Sequence, residues 1–359
     1  MKIGRAEIGR VHRPFVIAEM SGNHNRSLDR ALAIVDAAAD AGAHAIKLQT
    51  YTADTMTLDL RTGDFVISDE KSLWAGRTLY ELYDEAHTPW DWHAPIMRRA
   101  AERGIMSFSS PFDASSVDFL ESLGVPAYKI ASFENTDLAL VRKVAATGKP
   151  MIVSTGMATI AELDLTVRTA REAGCGDLIL LKCTSTYPAS PENTNLLTIP
   201  HMRELFGCEV GLSDHTMGVG AAVAAVALGA TVVEKHFTLS RREGGVDSAF
   251  SLEPDELKLL VAETERAHLA LGRVSYGATD AEKGSLQFRR SLHVVADVEE
   301  GEALTANNVR AIRPGSGLPP AYLDMIIGRR AVRRLARGTA LSLDHVLGER
   351  SDPDPGTRR

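Results

Sequence analysis

The chain has 359 residues, of which 44% are hydrophobic and 24% charged, and its formal net charge is −7. This length and composition are typical of soluble protein, and they favour one large domain followed by a small one. The negative net charge provides no overall positive field, which argues against a nucleic acid as a binding partner.

The N-terminal segment and the cysteines indicate where the protein works. Residues 1–20 lack the long apolar run of a signal peptide, and no stretch of the chain approaches the ~20 apolar residues that span a bilayer. The three cysteines, Cys175, Cys183 and Cys208, show neither CxxC nor zinc-finger spacing, so we expect reduced core residues. We therefore predict a cytoplasmic protein that does not bind membranes.

One structural unit repeats from Phe15 to about Leu271: a short β-branched run, then a longer segment with helical apolar spacing that closes on glycine. The predicted strands are FVIAEM (15–20), AIKLQT (45–50), IMSFSSP (105–111), AYKIAS (127–132), MIVSTG (151–156), LILLKCT (178–184), EVGLSD (209–214) and TVVEKHF (231–237). Eight such repeats in about 250 residues are typical of a (β/α)8 TIM barrel, an α/β fold. An open doubly wound sheet is the alternative, but no complete G-x-G-x-x-G follows the first strand.

The repeat stops after Leu271 at a polar, glycine-bearing stretch. We predict a barrel domain over residues 1–275, a linker over 276–289, a small mixed domain over 290–348 and a disordered tail over 349–359. Glycine turns in EEGEAL and ARGTAL favour a compact fold for the small domain. Its clustered arginines are expected to form a solvated face: Arg329, Arg330, Arg333, Arg334 and Arg337.

The predicted strands end in polar residues, at the face of a (β/α)8 barrel where active sites lie. Lys47 and Gln49 share strand parity, as do Glu234 and His236, so each pair can point into the barrel mouth. Lysines and serine hydroxyls at several strand ends suit a bound phosphate or carboxylate. The alternative for each lysine is a structural ion pair inside the barrel.

Two histidines end the last two predicted strands, which are neighbours in a closed barrel. The imidazoles of His215 and His236 can therefore meet on one cation. Two histidines with nearby oxygen ligands suit a divalent first-row metal. The alternative is that each histidine is an ordinary buried hydrogen-bonding group.

The motifs at the strand ends, in this order and spacing, resemble the sialic acid synthase family along the whole predicted barrel. They are IAEMSGNHNRSL, AIKLQTY, SSPFD, AYKIASFE, IVSTGMAT, KCTSTYP, GLSDHTMG and EKHFTL. Residues 290–348, with VVADVEEGEALTANNVRAIRPGSG, resemble the antifreeze-like (SAF) domain, a β-clip fold that follows the barrel in that family. The resemblance implies a homodimer in which each SAF domain covers the barrel of its partner.

Within the family, KIASFE, KCTSTYP and the insert SLWAGRTLYELYDEAHTPWDWH resemble the pseudaminic acid synthases. The resemblance implies that phosphoenolpyruvate, a 2,4-diacetamido-2,4,6-trideoxy sugar of the altrose series and water give a nonulosonic acid and phosphate, with C–O cleavage. Synthesis of legionaminic acid or N-acetylneuraminate by the same mechanism is the alternative. A Schiff-base aldolase using Lys47 or Lys129, and a non-enzymatic barrel with a glycan-binding module, are less favoured.

The resemblance also implies roles for individual residues. Those expected to hold phosphoenolpyruvate are Lys47, Gln49, Ser110, Lys129, Ser132, Ser154, Ser185 and Ser213. Those expected near the sugar are Glu19, Glu134, Tyr187, Asp247, Phe288 and Arg313. Ser185 departs from the asparagine of neuraminate synthases.

The expected catalytic residues are Glu19, His215 and His236, and the two histidines are the expected ligands of manganese, magnesium or cobalt. Glu19 is expected to handle a proton at the aldehyde or at water. Glu234 is the alternative for that role, although its position two residues before His236 also suits a supporting contact.

Overall fold

The computed structural model describes residues 1–70 and 72–346. The chain divides into two compact units, one over Met1–Gly272 and one that begins at Arg273. The whole predicted tail (349–359) and the last two residues of the predicted small domain (347–348) lie outside the described residues. Within the described part, no helix combines the length and the apolar character needed to cross a membrane.

Eight parallel strands close into a barrel in the order β10–β3–β4–β5–β6–β7–β8–β9, which confirms the predicted TIM barrel. The strands of this unit, beginning with a short N-terminal hairpin, are β1 (Lys2–Ile3), β2 (Ala6–Glu7), β3 (Phe15–Glu19), β4 (Ala45–Thr50), β5 (Met106–Pro111), β6 (Tyr128–Ile130), β7 (Met151–Ser154), β8 (Leu178–Cys183), β9 (Glu209–Asp214) and β10 (Val232–His236). Strands β3, β6, β7 and β10 are buried along their whole length, as expected of parallel strands covered on both faces.

Helices follow the barrel strands, and β4 is followed by three of them. The helices of this unit are α1 (Leu28–Asp40), α2 (Ala53–Met56), α3 (Leu79–Ala86), α4 (Trp90–Glu102), α5 (Ala114–Ser122), α6 (Leu138–Ala145), α7 (Ile160–Glu172), α8 (Thr198–Phe206), α9 (Gly220–Ala227) and α10 (Pro254–Leu271). Several begin at a side chain that accepts a backbone N–H: Ser27 caps α1, and Thr159 with Glu162 forms a capping box on α7.

The core of the first unit fills the space between the strands and the inner faces of the helices. Phe15, Phe108 and Tyr128 are among its largest fully buried side chains. All three cysteines are free, and Cys175 and Cys183 are buried, as the spacing predicts.

The second unit has its own small core. It contains the antiparallel pair β11 (Ser291–Val294) and β12 (Val309–Ile312), the short helix α11 (Leu323–Ile326) and a 3₁₀ helix over Asp280–Phe288, within the predicted linker. The predicted turn in EEGEAL is present, with Gly301 at φ +78°, a left-handed conformation that favours glycine. The buried apolar residues of this core are Leu292, Val294, Val298, Leu304, Val309, Ile326, Ala331, Leu335, Leu341 and Val346.

Candidate active site

A chain of alternating charges crosses the barrel near the C-terminal ends of its strands. Lys129 on β6 donates to both carboxylate oxygens of Glu234 on β10, at 2.9 and 3.1 Å. These two strands are four places apart in the eight-stranded order, so the ion pair spans the lumen. Lys47 on β4 lies 2.6 Å from Glu19 Oε2 and 3.9 Å from Glu234 Oε1. All four side chains are at most 5% exposed, so solvent screens their charges weakly.

The strand register explains why these charges meet. In the parallel ladder His236 pairs with Glu19, and Glu19 pairs with Lys47, so three adjacent strands present them at one level. Gln49, two residues after Lys47, also points inward and donates to Glu19 Oε1 at 2.9 Å. The predicted parity of Lys47 with Gln49 is therefore confirmed by their shared contact with Glu19.

The buried carboxyl groups of this site differ in protonation. Burial raises the pKa of Glu19 to about 7, although the charge of Lys47 opposes the shift. Burial alone would raise the pKa of Glu234 as well, but Lys129 and Lys47 together hold it below its ordinary value. Glu234 thus stays ionised at neutral pH, whereas Glu19 titrates there. Two neighbouring carboxyls with such different pKa values are suited to different tasks.

Serine hydroxyls surround the lysines on the neighbouring strands. Ser110 Oγ accepts a hydrogen bond from Lys47 at 3.2 Å, and Ser213 Oγ lies 3.4 Å from Glu234 Oε1. Ser154 Oγ is buried, and it has no hydrogen-bond partner among the described residues. A buried hydroxyl without a partner is costly, which indicates that a ligand completes its bonding.

Gly156, just after β7, lies very close to two more of the predicted serines. A Cβ atom built on it would lie 2.5 Å from the Ser132 Cβ and 3.0 Å from the Ser185 Oγ. Its φ of +35° is also unfavourable for other residues. The glycine therefore lets the backbone pack against Ser132 and Ser185 more closely than any other residue would allow.

His215 and His236 lie side by side, with ring centroids 5.3 Å apart. Tyr187 packs against both, at 4.5 Å from His215 and 6.3 Å from His236. Nδ1 of His215 lies 2.9 Å from the Thr184 carbonyl, so Nδ1 carries a proton and donates it there. Burial lowers the pKa of His236 well below its ordinary value, so its imidazole is neutral.

These histidines fit a divalent metal by the chemistry of their donors. The buried Nδ1 of His236 makes no hydrogen bond within the described residues, and Asp247 Oδ2 is 3.8 Å away. A neutral imidazole, a second imidazole with its other nitrogen fixed, and a nearby carboxylate suit a first-row cation. No His, Cys, Asp or Glu cluster of three or more in residues 1–70 and 72–346 forms a complete ligand set, so such a site would need water or substrate oxygens.

Asp247 connects the histidines to the glutamate side of the site. It accepts a short hydrogen bond from Ser21 Oγ, and Gln49 donates to the same hydroxyl at 3.2 Å. Burial raises the pKa of Asp247 above its ordinary value. Ser21 adopts φ +48°, a left-handed conformation that is uncommon for serine and is often found at functional sites. A continuous path of contacts thus runs from Glu19 through Gln49 and Ser21 to Asp247.

A cavity of about 360 Å³ opens beside these groups. Its lining residues are Ser21, Gln49, Tyr51, Met56, Ile67, Trp74, Leu79, Leu82, Tyr83, Ala86, Phe112, Ala131, Ser132, Phe133, Glu134, Tyr187, His236, Val246 and Asp247. Glu134 Oε2 is buried, has no hydrogen-bond partner in the described part of the chain, and burial raises the pKa of Glu134 to about 7. The cavity volume suits a small, partly apolar ligand.

The barrel unit therefore brings together most of the residues that the sequence singles out. The phosphoenolpyruvate set and the histidines lie at the mouth of the lumen, and Glu134, Tyr187 and Asp247 line the cavity. Phe288 and Arg313 belong to the second unit instead: Phe288 ends the 3₁₀ helix, and Arg313 follows β12. Glu234, the alternative for proton transfer, is engaged by Lys129.

Several site residues were not identified from the sequence. Ser21 and Gly156 lie within the recognised motifs IAEMSGNHNRSL and IVSTGMAT, but neither was assigned to the site, and the positive φ of Ser21 cannot be read from its residue type. Trp74 belongs to the insert that resembles one branch of the family, but nothing in its local pattern places it beside Tyr187. Phe250 packs on His236 with ring centroids 4.9 Å apart, although it is 14 residues away in sequence.

Comparisons with known proteins identify the family of the chain. The chain matches the NeuB family over residues 34–276 and the SAF domain over residues 289–347. It is 46% identical to a pseudaminic acid synthase of Campylobacter jejuni subsp. jejuni serotype O:2 (91% of this chain, 95% of the relative) and 42% identical to one of Helicobacter pylori (93% and 98%).

A solved structure gives the same result for the fold. The N-acetylneuraminic acid synthetase of Leptospira borgpetersenii serovar Hardjo-bovis, crystallised with citrate, is 30% identical with a TM-score of 0.71, over 80% of this chain and 95% of that one. The chain belongs to the NeuB family, and a SAF domain follows its barrel.

Proposed function

We propose that the protein is a pseudaminic acid synthase, which condenses phosphoenolpyruvate with an open-chain 2,4-diacetamido-2,4,6-trideoxy-altrose and water. C3 of phosphoenolpyruvate forms a bond to the aldehyde carbon, water adds at C2, and phosphate leaves with the bridging oxygen. The supporting observation is the buried pair of lysines, Lys47 and Lys129, beside unpaired hydroxyl and carboxyl groups at the mouth of a cavity that fits a sugar.

The two lysines provide positive charge for the carboxylate and phosphate of phosphoenolpyruvate. Lys47 pairs with Glu19 and Lys129 with Glu234, so each lysine closes an ion pair inside the barrel, and we propose that each also contacts the bound anion. Ser154, Ser132 and Ser185 supply hydroxyls that orient the anion.

Glu19 is the proposed proton donor to the aldehyde oxygen as it becomes an alkoxide. A pKa near 7 keeps a useful fraction protonated at neutral pH. Gln49 holds one carboxyl oxygen at 2.9 Å, so it positions the group. We assign Glu234 a supporting role, because Lys129 and Lys47 keep it ionised.

We propose that His215 and His236 bind a divalent metal such as Mn²⁺, Mg²⁺ or Co²⁺. When bound, it would supply Lewis acidity toward an oxygen of the substrate. Tyr187 packs on both imidazoles and Thr184 fixes the tautomer of His215, so the protein orients both ligands.

Removal of the metal should inactivate the enzyme. After treatment with a chelator, activity is expected to vanish and to return on addition of Mn²⁺, Co²⁺ or Mg²⁺. The His215→Ala and His236→Ala variants should each lose most of kcat. In an equilibrium metal-binding assay, each variant should bind Mn²⁺ at least about tenfold more weakly than the wild type. Full activity of metal-free protein, verified by elemental analysis, would contradict the assignment.

The proposed partner is a second copy of the chain, whose SAF domain covers the barrel mouth. Two features support it: apolar side chains at the strand ends are exposed, with Phe133 at 60% and Met157 at 61%, and Phe288 of the second unit is 58% exposed. Arg313 would then serve the sugar of the neighbouring barrel. As an enzyme that consumes phosphoenolpyruvate, the protein is proposed to act in the cytoplasm.

Subunit exchange tests this arrangement. Arg313→Ala and Glu19→Gln should each be inactive alone, and refolding them together should restore about a quarter of the sites, because each heterodimer contains one intact site. The matched control mixes Glu19→Gln with His236→Ala, where both barrels are defective and no recovery is expected. No recovery in the first mixture, with heterodimers verified by mass spectrometry, would show that the domain does not act across subunits.

A panel of acceptors tests the function itself. Phosphate release from phosphoenolpyruvate should require a sugar, and kcat/KM should be higher with 2,4-diacetamido-2,4,6-trideoxy-altrose than with the legionaminic-type acceptor or N-acetylmannosamine. Higher kcat/KM with N-acetylmannosamine would place the enzyme in the neuraminate branch. Labelling of a lysine by borohydride with pyruvate would instead indicate an aldolase.

A further inference from the structure

The loop between α2 and α3 contains a short hairpin that closes one side of the cavity. Ile67 N–H donates to the Arg77 carbonyl at 2.9 Å, Gly76 N–H donates to the Ile67 carbonyl at 2.8 Å, and Val66 forms an antiparallel bridge with Thr78. We call the described residues 66–70 and 72–78 the wall hairpin. Its backbone bonds hold Ile67 and Trp74, both partly exposed, where they line the cavity.

Trp74 attaches the wall hairpin to the catalytic side of the barrel. Its indole Nε1 donates to the Val246 carbonyl at 3.0 Å, and its ring lies 5.9 Å from that of Tyr187. Val246 directly precedes Asp247, which lies 3.8 Å from His236. Trp74 therefore connects the wall hairpin to Tyr187 and to the segment that carries Asp247.

The cavity has two chemically different halves. The barrel side carries hydrogen-bonding groups: Ser21, Gln49, Ser132, Glu134, His236 and Asp247. The side formed by the wall hairpin, α2 and α3 is mainly apolar: Met56, Ile67, Leu79, Leu82 and Ala86. Phe112, which follows β5, and Ala131 and Phe133, which follow β6, add apolar surface on the barrel side. Tyr51 and Tyr83 also line the cavity, and each carries a polar phenol group.

We propose that the wall hairpin determines acceptor specificity, with Ile67 and Trp74 contacting the deoxy, methyl-bearing end of the open-chain sugar. The inference rests on the proposed function. The aldehyde must face the barrel side, where Glu19 and the histidines lie, so the far end of the sugar faces the apolar wall. A methyl group there gains apolar burial, whereas a hydroxymethyl group loses hydrogen bonds to water. An apolar pocket discriminates against an added hydroxyl by up to about 10²-fold.

The test compares two acceptors that differ only at C6: the 2,4-diacetamido-2,4,6-trideoxy sugar and its 6-hydroxy analogue. Wild-type enzyme should prefer the deoxy sugar in kcat/KM. Ile67→Thr places a hydroxyl in the wall and should lower this preference about tenfold. Trp74→Phe keeps an aromatic side chain but loses the hydrogen bond to the Val246 carbonyl, and it should also lower the preference for the deoxy sugar. The KM for phosphoenolpyruvate should be unchanged in both variants.

Leu73→Thr is the matched control, because Leu73 lies in the same hairpin, is 50% exposed and does not line the cavity. It should leave the preference at the wild-type value. The inference is overturned if Ile67→Thr and Trp74→Phe, folded by circular dichroism, keep the wild-type preference, or if Leu73→Thr changes it equally. A wild-type enzyme that releases phosphate with no acceptor would overturn the proposed function, and the inference with it.

Discussion

Lys129→Met is expected to reduce kcat/KM for phosphoenolpyruvate by roughly 10²–10³-fold and to lower the free energy of unfolding by about 3–5 kcal/mol. The loss of activity follows from removing a buried charge that faces the substrate anion. The loss of stability follows because Glu234 would lose its closer lysine and keep Lys47, at 3.9 Å, as its salt-bridge partner among the described residues. Steady-state kinetics and urea denaturation measure the two effects separately.

The chain offers a matched control for this substitution. Lys235 pairs with Asp214 at 2.9 Å and is equally buried, but it has the opposite strand parity to Glu234 and lies outside the lumen. Lys235→Met should therefore lower stability by a similar amount with a much smaller effect on the KM for phosphoenolpyruvate. The double variant Lys129→Met/Glu234→Met should regain stability and stay inactive, because replacing both buried charges removes the unpaired one. Equal kinetic defects in Lys129→Met and Lys235→Met would show that Lys129 acts only through stability.

Glu19→Gln is expected to lower kcat by about 10²–10⁴-fold and to remove a pH dependence centred near 7. Glu19 is uncharged below its pKa of about 7, so as a proton donor it is fully competent in acid and is lost as the pH rises. The wild-type kcat should therefore fall as the pH increases through about 7. The amide of glutamine keeps the size of the side chain, so the fold should survive.

Glu134 also has a pKa of about 7, so its contribution must be separated. Glu134→Gln should retain the descending limb near pH 7 and should chiefly raise the KM for the sugar, because Glu134 lines the cavity. If the limb survives in Glu19→Gln and disappears in Glu134→Gln, Glu134 is the proton donor. A wild-type profile that rises through pH 7 would contradict the acid role of either residue.

The barrel fold and the position of its polar residues at the C-terminal ends of the strands were predictable, because both depend on the periodicity of the sequence. Alternation along β4 and β10 fixes which side chains point inward, and that was sufficient to pair Lys47 with Gln49 and Glu234 with His236. Periodicity does not give distances across the lumen. The contact between Lys129 and Glu234 depends on barrel closure, and it joins residues 105 positions apart.

The cavity wall was not predictable for a different reason. Trp74 lies in a loop that contacts the catalytic side through an indole hydrogen bond to Val246, 172 residues away. Ser21 requires a left-handed backbone that its residue type does not announce. Loop contacts of this kind carry no local periodic pattern, so the sequence indicated the insert but not its place in the site.

The fate of the bridging oxygen of phosphoenolpyruvate tests the central claim most directly. Enzyme, metal, the deoxy diacetamido sugar and phosphoenolpyruvate labelled with ¹⁸O at the C2–O–P position should yield inorganic phosphate that carries the label, detected by the isotope shift in ³¹P NMR. The nonulosonic acid should take its C2 oxygen from water. Label retained in the sugar acid, with unlabelled phosphate, would contradict addition of water at C2 and with it the chemistry assigned to this site.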